Sequence, residues 1–118
     1  MFSYQKLAVW QKARTLNLNI YQTTKSFPKQ EIYALTNQIR RASISIASNI
    51  AEGNGRPTGA DKAHFTSIAY GSLLEVSCQL QLACDLSYLT QEQLQTLNNE
   101  LEEIARMLSA LRTHQLKT

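Results

Sequence analysis

The chain has 118 residues, of which 43% are hydrophobic and 18% are charged, and its formal net charge is +3. These values are typical of one folded domain and exclude an intrinsically disordered chain. No apolar run approaches the ~18 residues that a membrane-spanning helix requires, and no signal-peptide pattern opens the chain. We therefore expect a cytoplasmic protein that has no membrane partner.

Charge is distributed unevenly along the sequence. Residues 1–56 contain eight basic and two acidic side chains, giving +6, whereas residues 57–118 contain four basic and seven acidic ones, giving −3. This asymmetry predicts either an anionic partner on one surface or two oppositely charged halves that pack together. Ordinary solvated helix faces are the alternative.

The first predicted helix covers about residues 4–25. Its apolar side chains share one helical face, because they are spaced four, three and four residues apart. These side chains are Val9, Ala13, Leu16 and Ile20. The helix must end before Pro28, because the residue that precedes a proline disfavours the α-helical conformation.

The second predicted helix covers about residues 29–52. We expect it to end at Gly53, in the left-handed conformation that glycine often adopts after the last turn of a helix. Its core-facing residues are Leu35, Ile39, Ala42, Ile46 and Ile50.

The third and fourth predicted helices cover about residues 60–87 and 91–114. Thr90 followed by Gln93 is typical of a capping box at the start of the fourth. The core-facing residues of the third are Phe65, Ala69, Ser72, Val76, Leu80 and Ala83. Those of the fourth are Leu94, Leu97, Leu101, Ile104, Leu108 and Leu111. Four long helices with short connections predict a single all-α domain over residues 1–118, an antiparallel up-down-up-down four-helix bundle.

A second apolar stripe follows the outer side of the second and third helices. At about 100° per residue, its members lie roughly 120–220° around the helix from Leu35 on the second helix or Ala69 on the third. They are Ile44, Ala47, Ala51, Gly71, Leu74, Cys78 and Leu82. Because exposed contiguous apolar surface usually marks an interface, we expect a homo-oligomer that assembles through these two helices. The alternatives are scattered surface residues, or an uneven bundle that buries the stripe itself.

No catalytic residue, metal ligand set or cofactor site is predicted. His64 and His114 are isolated, no glycine-rich phosphate loop is present, and no Glu is followed three residues later by His. Asn49, Glu52 and Glu75 are the one polar group near the core side. We expect them to form a buried hydrogen-bond network that fixes helix register, with a catalytic cluster as the remote alternative.

Basic side chains are the remaining candidates for a functional site. The planar guanidinium of arginine binds carboxylate or phosphate through two hydrogen bonds, so the adjacent Arg40 and Arg41 suit either a subunit contact or a nucleic-acid backbone. No motif for reading bases is present. The candidate nucleic-acid contacts are Lys12, Arg14, Lys25, Arg40, Arg41 and Arg56.

Five motifs resemble one known protein family along nearly the whole chain. They are Leu7-x-Val9-Trp10-Gln11-x-Ala13, Phe27-Pro28-x-x-Glu31-x-Tyr33-x-Leu35, Gln38-Ile39-Arg40-Arg41-Ala42, Ser48-Asn49-Ile50-Ala51-Glu52-Gly53 and Gly71-Ser72-Leu73-x-Glu75. The sequence resembles the 23S rRNA intervening-sequence proteins of bacteria, with Ala34 as a departure where glycine is common. A related branch comprises the accessory proteins of diversity-generating retroelements.

The resemblance implies a four-helix bundle that assembles as a ring, commonly a homopentamer. It also implies association with RNA or DNA and, in the related branch, with a reverse transcriptase; no enzymatic activity is implied. We therefore expect a non-enzymatic oligomeric protein that associates with structured RNA or a nucleoprotein complex through its basic surface. The alternative is a protein–protein assembly module or adaptor that does not bind nucleic acid.

Overall fold

The computed structural model describes Met1–Thr118 and contains four α-helices, two short 3-10 helices and no strand. The α-helices are α1 (Ala8–Thr24), α2 (Leu35–Asn54), α3 (Gly59–Asp85) and α4 (Gln91–Leu116). The 3-10 helices are Ser3–Lys6 and Lys29–Glu31. The prediction of an all-α fold with four helices is confirmed. None of the helices combines the length and apolar character that crossing a membrane requires.

Side-chain caps fix the beginnings of α3 and α4. Thr58 Oγ1 accepts a hydrogen bond of 3.1 Å from the backbone N–H of Asp61. Thr90 and Gln93 form the predicted capping box, in which each side chain accepts from the other residue's backbone N–H, at 3.0 and 2.9 Å. Because these donors have no partner within the helix, the caps define where both helices begin.

The first two helices begin later than the sequence patterns predict. Residues 3–6 form a separate 3-10 turn, and Leu7 is extended, so α1 begins at Ala8 instead of residue 4. Ala34 is also outside the helical region, and α2 begins at Leu35 instead of residue 29. The carboxylate of Glu31 accepts from the Leu35 N–H at 3.3 Å, which satisfies a free donor of the new helix.

Gly53 does not end α2 in a left-handed conformation, so this prediction is wrong. The helix continues to Asn54, and no glycine in the chain has a positive φ. Gly53 is buried, and an added Cβ there would lie 2.8 Å from Phe65 Cβ and 3.3 Å from the carbonyl oxygen of Lys62. The glycine therefore allows α2 and α3 to approach closely.

The four helices surround one hydrophobic core of 20 buried residues. Helix α1 packs against α2 and α4, and α3 packs against the same two helices, in an elongated molecule of 45 × 23 × 22 Å. All four core-facing residues predicted for α1 are buried. On α3, Phe65 and Ser72 are only half-buried, whereas Leu73, which the pattern missed, belongs to the core.

Two side-chain contacts tie parts of the chain together at opposite ends of the molecule. The Tyr88 hydroxyl donates to Glu31 Oε2 at 2.8 Å, which links the α3–α4 connection to the α1–α2 connection. The hydroxyl of Thr66, on α3, donates to Gln115 Oε1 near the end of α4 at 2.7 Å, and both residues are buried.

Candidate nucleic-acid and subunit interfaces

Arg40 is anchored on α1. Its Nε donates to Thr24 Oγ1 at 2.9 Å, and its guanidinium carbon lies 4.5 Å from the centroid of the Tyr21 ring. The hydrogen bond and the cation–π contact both restrict the side chain, which is half-buried. Arg40 therefore joins α2 to α1.

Arg41 has a different environment. Its side chain is exposed and makes no hydrogen bond, ion pair or cation–π contact within the chain. The two adjacent arginines point about 100° apart around α2, so only one of them reaches α1. The sequence showed them as a pair, and the structure separates them into one anchored and one free guanidinium.

The other candidate basic residues differ in how much of their charge is available. Lys12 forms an ion pair of 3.1 Å with Glu103 on α4. The guanidinium of Arg14 lies 5.8 Å from the Trp10 ring and that of Arg56 lies 4.5 Å from the Phe65 ring. An aromatic partner positions a cation without neutralising it, whereas the carboxylate compensates the charge of Lys12.

The candidate basic residues are distributed along the molecule and do not form one compact cluster. Lys25 follows the last residue of α1 and is exposed, and Arg40 contacts Thr24 at the same end of that helix. Arg56 lies beyond the end of α2, against Phe65. Arg14 lies between these ends, near the middle of α1.

An open groove of about 300 Å³ lies between α1 and α2 and contains Arg14 at its edge. The rings of Tyr4 and Trp10 meet edge to face there, with their centroids 5.0 Å apart. The groove is lined by Tyr4, Trp10, Arg14, Asn17, Ile44, Ala47, Ser48 and Ala51. Sequence reasoning missed the two aromatic residues, although Trp10 and Arg14 are four residues apart, a spacing that brings helical side chains together.

The predicted interface residues lie mainly on the surface. Ile44, Leu74 and Leu82 are 44%, 54% and 49% exposed, and Cys78 is exposed as well. Gly71 faces open space, because a Cβ added there would meet no atom within 4 Å. Ala47 and Ala51 are half-buried in the groove against α1. The remaining stripe is apolar surface that no other part of the chain covers.

The predicted buried network of Asn49, Glu52 and Glu75 is wrong. Asn49 is half-buried, and its side-chain amide donates to the backbone oxygen and the hydroxyl of Ser45 at 2.8 and 2.9 Å. Both glutamates are exposed. Glu52 is exposed for a geometric reason. It follows the buried Ile50 by two residues, so its side chain points about 200° away around the helix.

Glu75 is held at the surface by a neighbour on its own helix. Its Oε2 accepts from Gln79 Nε2 at 3.2 Å, and Gln79 is only 8% exposed. Elsewhere in the chain, no three His, Cys, Asp or Glu side chains are grouped so that they could hold a metal ion.

Hydrogen bonding to Glu31 raises the pKa of the Tyr88 hydroxyl above its usual value.

Comparisons with known proteins identify the family. The family model described as 23S rRNA-intervening sequence protein matches residues 5–110. The chain therefore belongs to the 23S rRNA-intervening sequence protein family. No curated protein matches the sequence.

A solved structure shows the same fold. It is a protein of unknown function from the S23 ribosomal protein family of Bacteroides thetaiotaomicron. The two proteins are 27% identical, with a TM-score of 0.80, and the match covers 89% of this chain and 98% of the other. Because the likeness includes almost the whole of both chains, the four-helix architecture is shared.

Proposed function

We propose that this protein is a non-enzymatic subunit of a ring-shaped homo-oligomer that associates with structured RNA through basic residues on α1 and on the segments that follow α1 and α2. The observation that carries this proposal is the separation of charge between helices. Helix α1 has no acidic residue and α2 has only Glu52. Helix α4 has four acidic residues, which are Glu92, Glu100, Glu102 and Glu103.

Phosphate is the ligand chemistry that such a surface favours. Each Lys or Arg that neutralises a phosphate releases a condensed counterion, so affinity depends steeply on salt. Arg14 and Arg56, each beside an aromatic ring, present restricted guanidinium groups and lose less conformational freedom on binding. Exposed Lys25 adds a third cation. With no base-reading motif, the recognition is of backbone and shape.

The family name supports RNA as the partner, since it refers to an intervening sequence of 23S rRNA. The resemblance found in the sequence also makes DNA, or a reverse transcriptase bound to nucleic acid, a candidate partner in the cytoplasm. Two cross-helix contacts support an antiparallel arrangement of α2 and α3: Ser45 lies opposite Ser72, and Gln38 lies opposite Gln79.

Self-assembly into a ring, as the pentamers of the family suggest, strengthens this binding. Each subunit contributes the same basic surface, so one RNA molecule meets several of them at a high effective concentration. The uncovered apolar stripe on α2 and α3 supports self-association, because a surface of this kind is more stable when a partner removes it from water.

The test is RNA binding by Arg14→Ala and Arg56→Ala, compared with Arg106→Ala as a matched control on α4. Arg106 is exposed and has no side-chain partner in the chain. Fluorescence anisotropy against a folded RNA, from about 50 to 200 mM salt, gives the slope of log affinity against log salt. Losing one phosphate contact lowers that slope by about 1. Equal effects of all three substitutions would contradict the proposed surface.

A second candidate is an assembly module that does not bind nucleic acid. The Lys12–Glu103 ion pair favours it, because acids of α4 already compensate a base of α1 within one chain. If neighbouring subunits repeat this pairing, the ring has little net positive field outside. The same anisotropy titration distinguishes the candidates, since an assembly module leaves the RNA signal unchanged at low salt.

A further inference from the structure

We infer that Arg41 of one subunit forms an ion pair with Glu75 of the neighbouring subunit, at the edge of a contact centred on the apolar stripe of α2 and α3. The partner is a second copy of this chain. The inference rests on the proposed self-assembly and specifies which charges direct it.

Cross-helix hydrogen bonds place the two residues at the same level of the molecule. The hydroxyl groups of Ser45 and Ser72 are 2.9 Å apart, and Gln79 Nε2 lies 3.4 Å from Gln38 Oε1. The two helices therefore run in opposite directions. Arg41 comes three residues after Gln38 on α2, and Glu75 comes four residues before Gln79 on α3. The two charged residues therefore lie nearly level, between the two contacts.

Neither charge is satisfied within its own chain. Arg41 has no partner, and Glu75 accepts a single hydrogen bond, from the neutral amide of Gln79. The only ion pair in the chain joins Lys12 to Glu103. Gln79 is buried, so its contact holds the Glu75 carboxylate in one place while leaving Oε1 available.

The surface beside these charges is apolar. Ile44, Leu74 and Leu82 are each about half exposed, and Cys78 and Gly71 lie in the same stripe. Interfaces commonly have an apolar centre and a polar edge with complementary charges. On α2, Ile44 lies one turn from Arg41, and on α3, Cys78 lies one turn from Glu75. A second copy therefore supplies both halves of the contact, with α2 of one subunit against α3 of the next, and a closed ring requires such a contact between unlike faces. At this edge the pair stays partly solvated, so it directs the orientation of the two subunits more than it adds affinity.

The position of Glu75 also argues against a phosphate at Arg41. A carboxylate at the same level on the neighbouring helix repels an anionic backbone, whereas Lys25 and Arg56 have no acid in contact with them. Arg41 therefore leaves the set of candidate RNA contacts and joins the subunit contact. Arg40 serves neither role directly, since its Nε is bound to Thr24.

Charge reversal tests the pair. Arg41→Glu and Glu75→Arg are each expected to weaken self-association by about ten-fold or more, because like charges then face each other across the contact. Size exclusion with light scattering, over a dilution series, measures the dissociation. Arg106→Glu and Glu102→Arg are the matched controls, since both residues are exposed on α4 and have no partner. Circular dichroism verifies that each variant is folded.

Mixing the two reversed variants shows whether the pair joins different subunits. An equimolar mixture of Arg41→Glu and Glu75→Arg is expected to assemble more strongly than either variant alone, because each supplies the charge that the other needs wherever unlike variants meet. In a ring with an odd number of subunits, one contact between like variants remains, so recovery is incomplete. A variant that carries both reversals in one chain is the comparison. If this double variant assembles and the mixture does not, the pair lies inside one chain and the inference is overturned. Assembly that is indifferent to both reversals would also overturn it, while leaving the proposed ring intact. A wild-type protein that is monomeric would contradict both the ion pair and the proposed ring.

Discussion

Gly53→Ala tests whether the close approach of α2 and α3 depends on the absence of a side chain. Two effects of this substitution oppose each other. Alanine is a better helix former than glycine and stabilises a helix interior by about 0.5–1 kcal/mol. The new Cβ would lie 2.8 Å from Phe65 Cβ, which is attached directly to the α3 backbone, so the helices must separate.

Overpacking of this kind costs about 1–3 kcal/mol, which exceeds the gain in helix propensity. We therefore expect Gly53→Ala to lower the free energy of unfolding by about 1 kcal/mol, the difference between the centres of those two ranges. Gly71→Ala is the matched control at dilutions that separate the subunits, because it then adds the same methyl group to α3 where nothing lies within 4 Å. It is expected to raise the free energy of unfolding by about 0.5–1 kcal/mol.

Urea unfolding followed by circular dichroism measures both variants. A dilution series is needed because the stability of an oligomer depends on protein concentration. The difference between the variants gives an upper limit to the packing cost, because Gly53 is next to the last residue of α2 and gains less helix propensity than Gly71 in the middle of α3. If Gly53→Ala is as stable as Gly71→Ala, the explanation of this glycine is refuted.

Three further substitutions test other parts of the account. Leu101→Ala, at a core residue that is 2% exposed, is expected to destabilise the protein by about 2–5 kcal/mol in urea unfolding. Arg40→Lys is expected to cost about 1 kcal/mol in the same assay, because an ammonium group does not reproduce the planar Nε–H contact with Thr24. The pKa of Tyr88 is raised by its hydrogen bond to Glu31, so the stabilisation is present below pH ~10 and is lost as the pH rises through the folded value. In an absorbance titration, the Tyr88→Phe variant should therefore lack the tyrosine ionisation that occurs above the usual pKa range. If that ionisation remains, it belongs to another tyrosine.

The helical architecture was predictable because its signals are local. In α4, leucine and isoleucine recur every three or four residues, and Thr90 with Gln93 marks the first turn. Local signals were weaker where tertiary contacts decide the outcome. Pro28 indicated the end of α1, but nothing in the pattern separated the 3-10 turn at Lys29–Glu31 from the helix that begins at Leu35.

The role of a single residue depended on which side chains of the neighbouring helix it contacts. The periodic spacing of apolar residues carries no information about those contacts. Gly53 was predicted as a helix terminus and is instead a point of contact with α3. Arg40 and Arg41 were equivalent in the sequence, and only the position of Thr24 on α1 distinguishes them. Asn49 was placed near the core by its angle, yet its side chain bonds to Ser45 on its own helix.

We propose that this protein forms a ring that associates with RNA through backbone charge. Size exclusion with multi-angle light scattering, with and without total bacterial RNA, tests both parts in one experiment. We expect an oligomer that shifts to a larger complex with RNA at about 50 mM salt and releases it by about 200 mM. An oligomer whose mass does not change with RNA at low salt would contradict the RNA proposal, and a monomer would contradict the assembly.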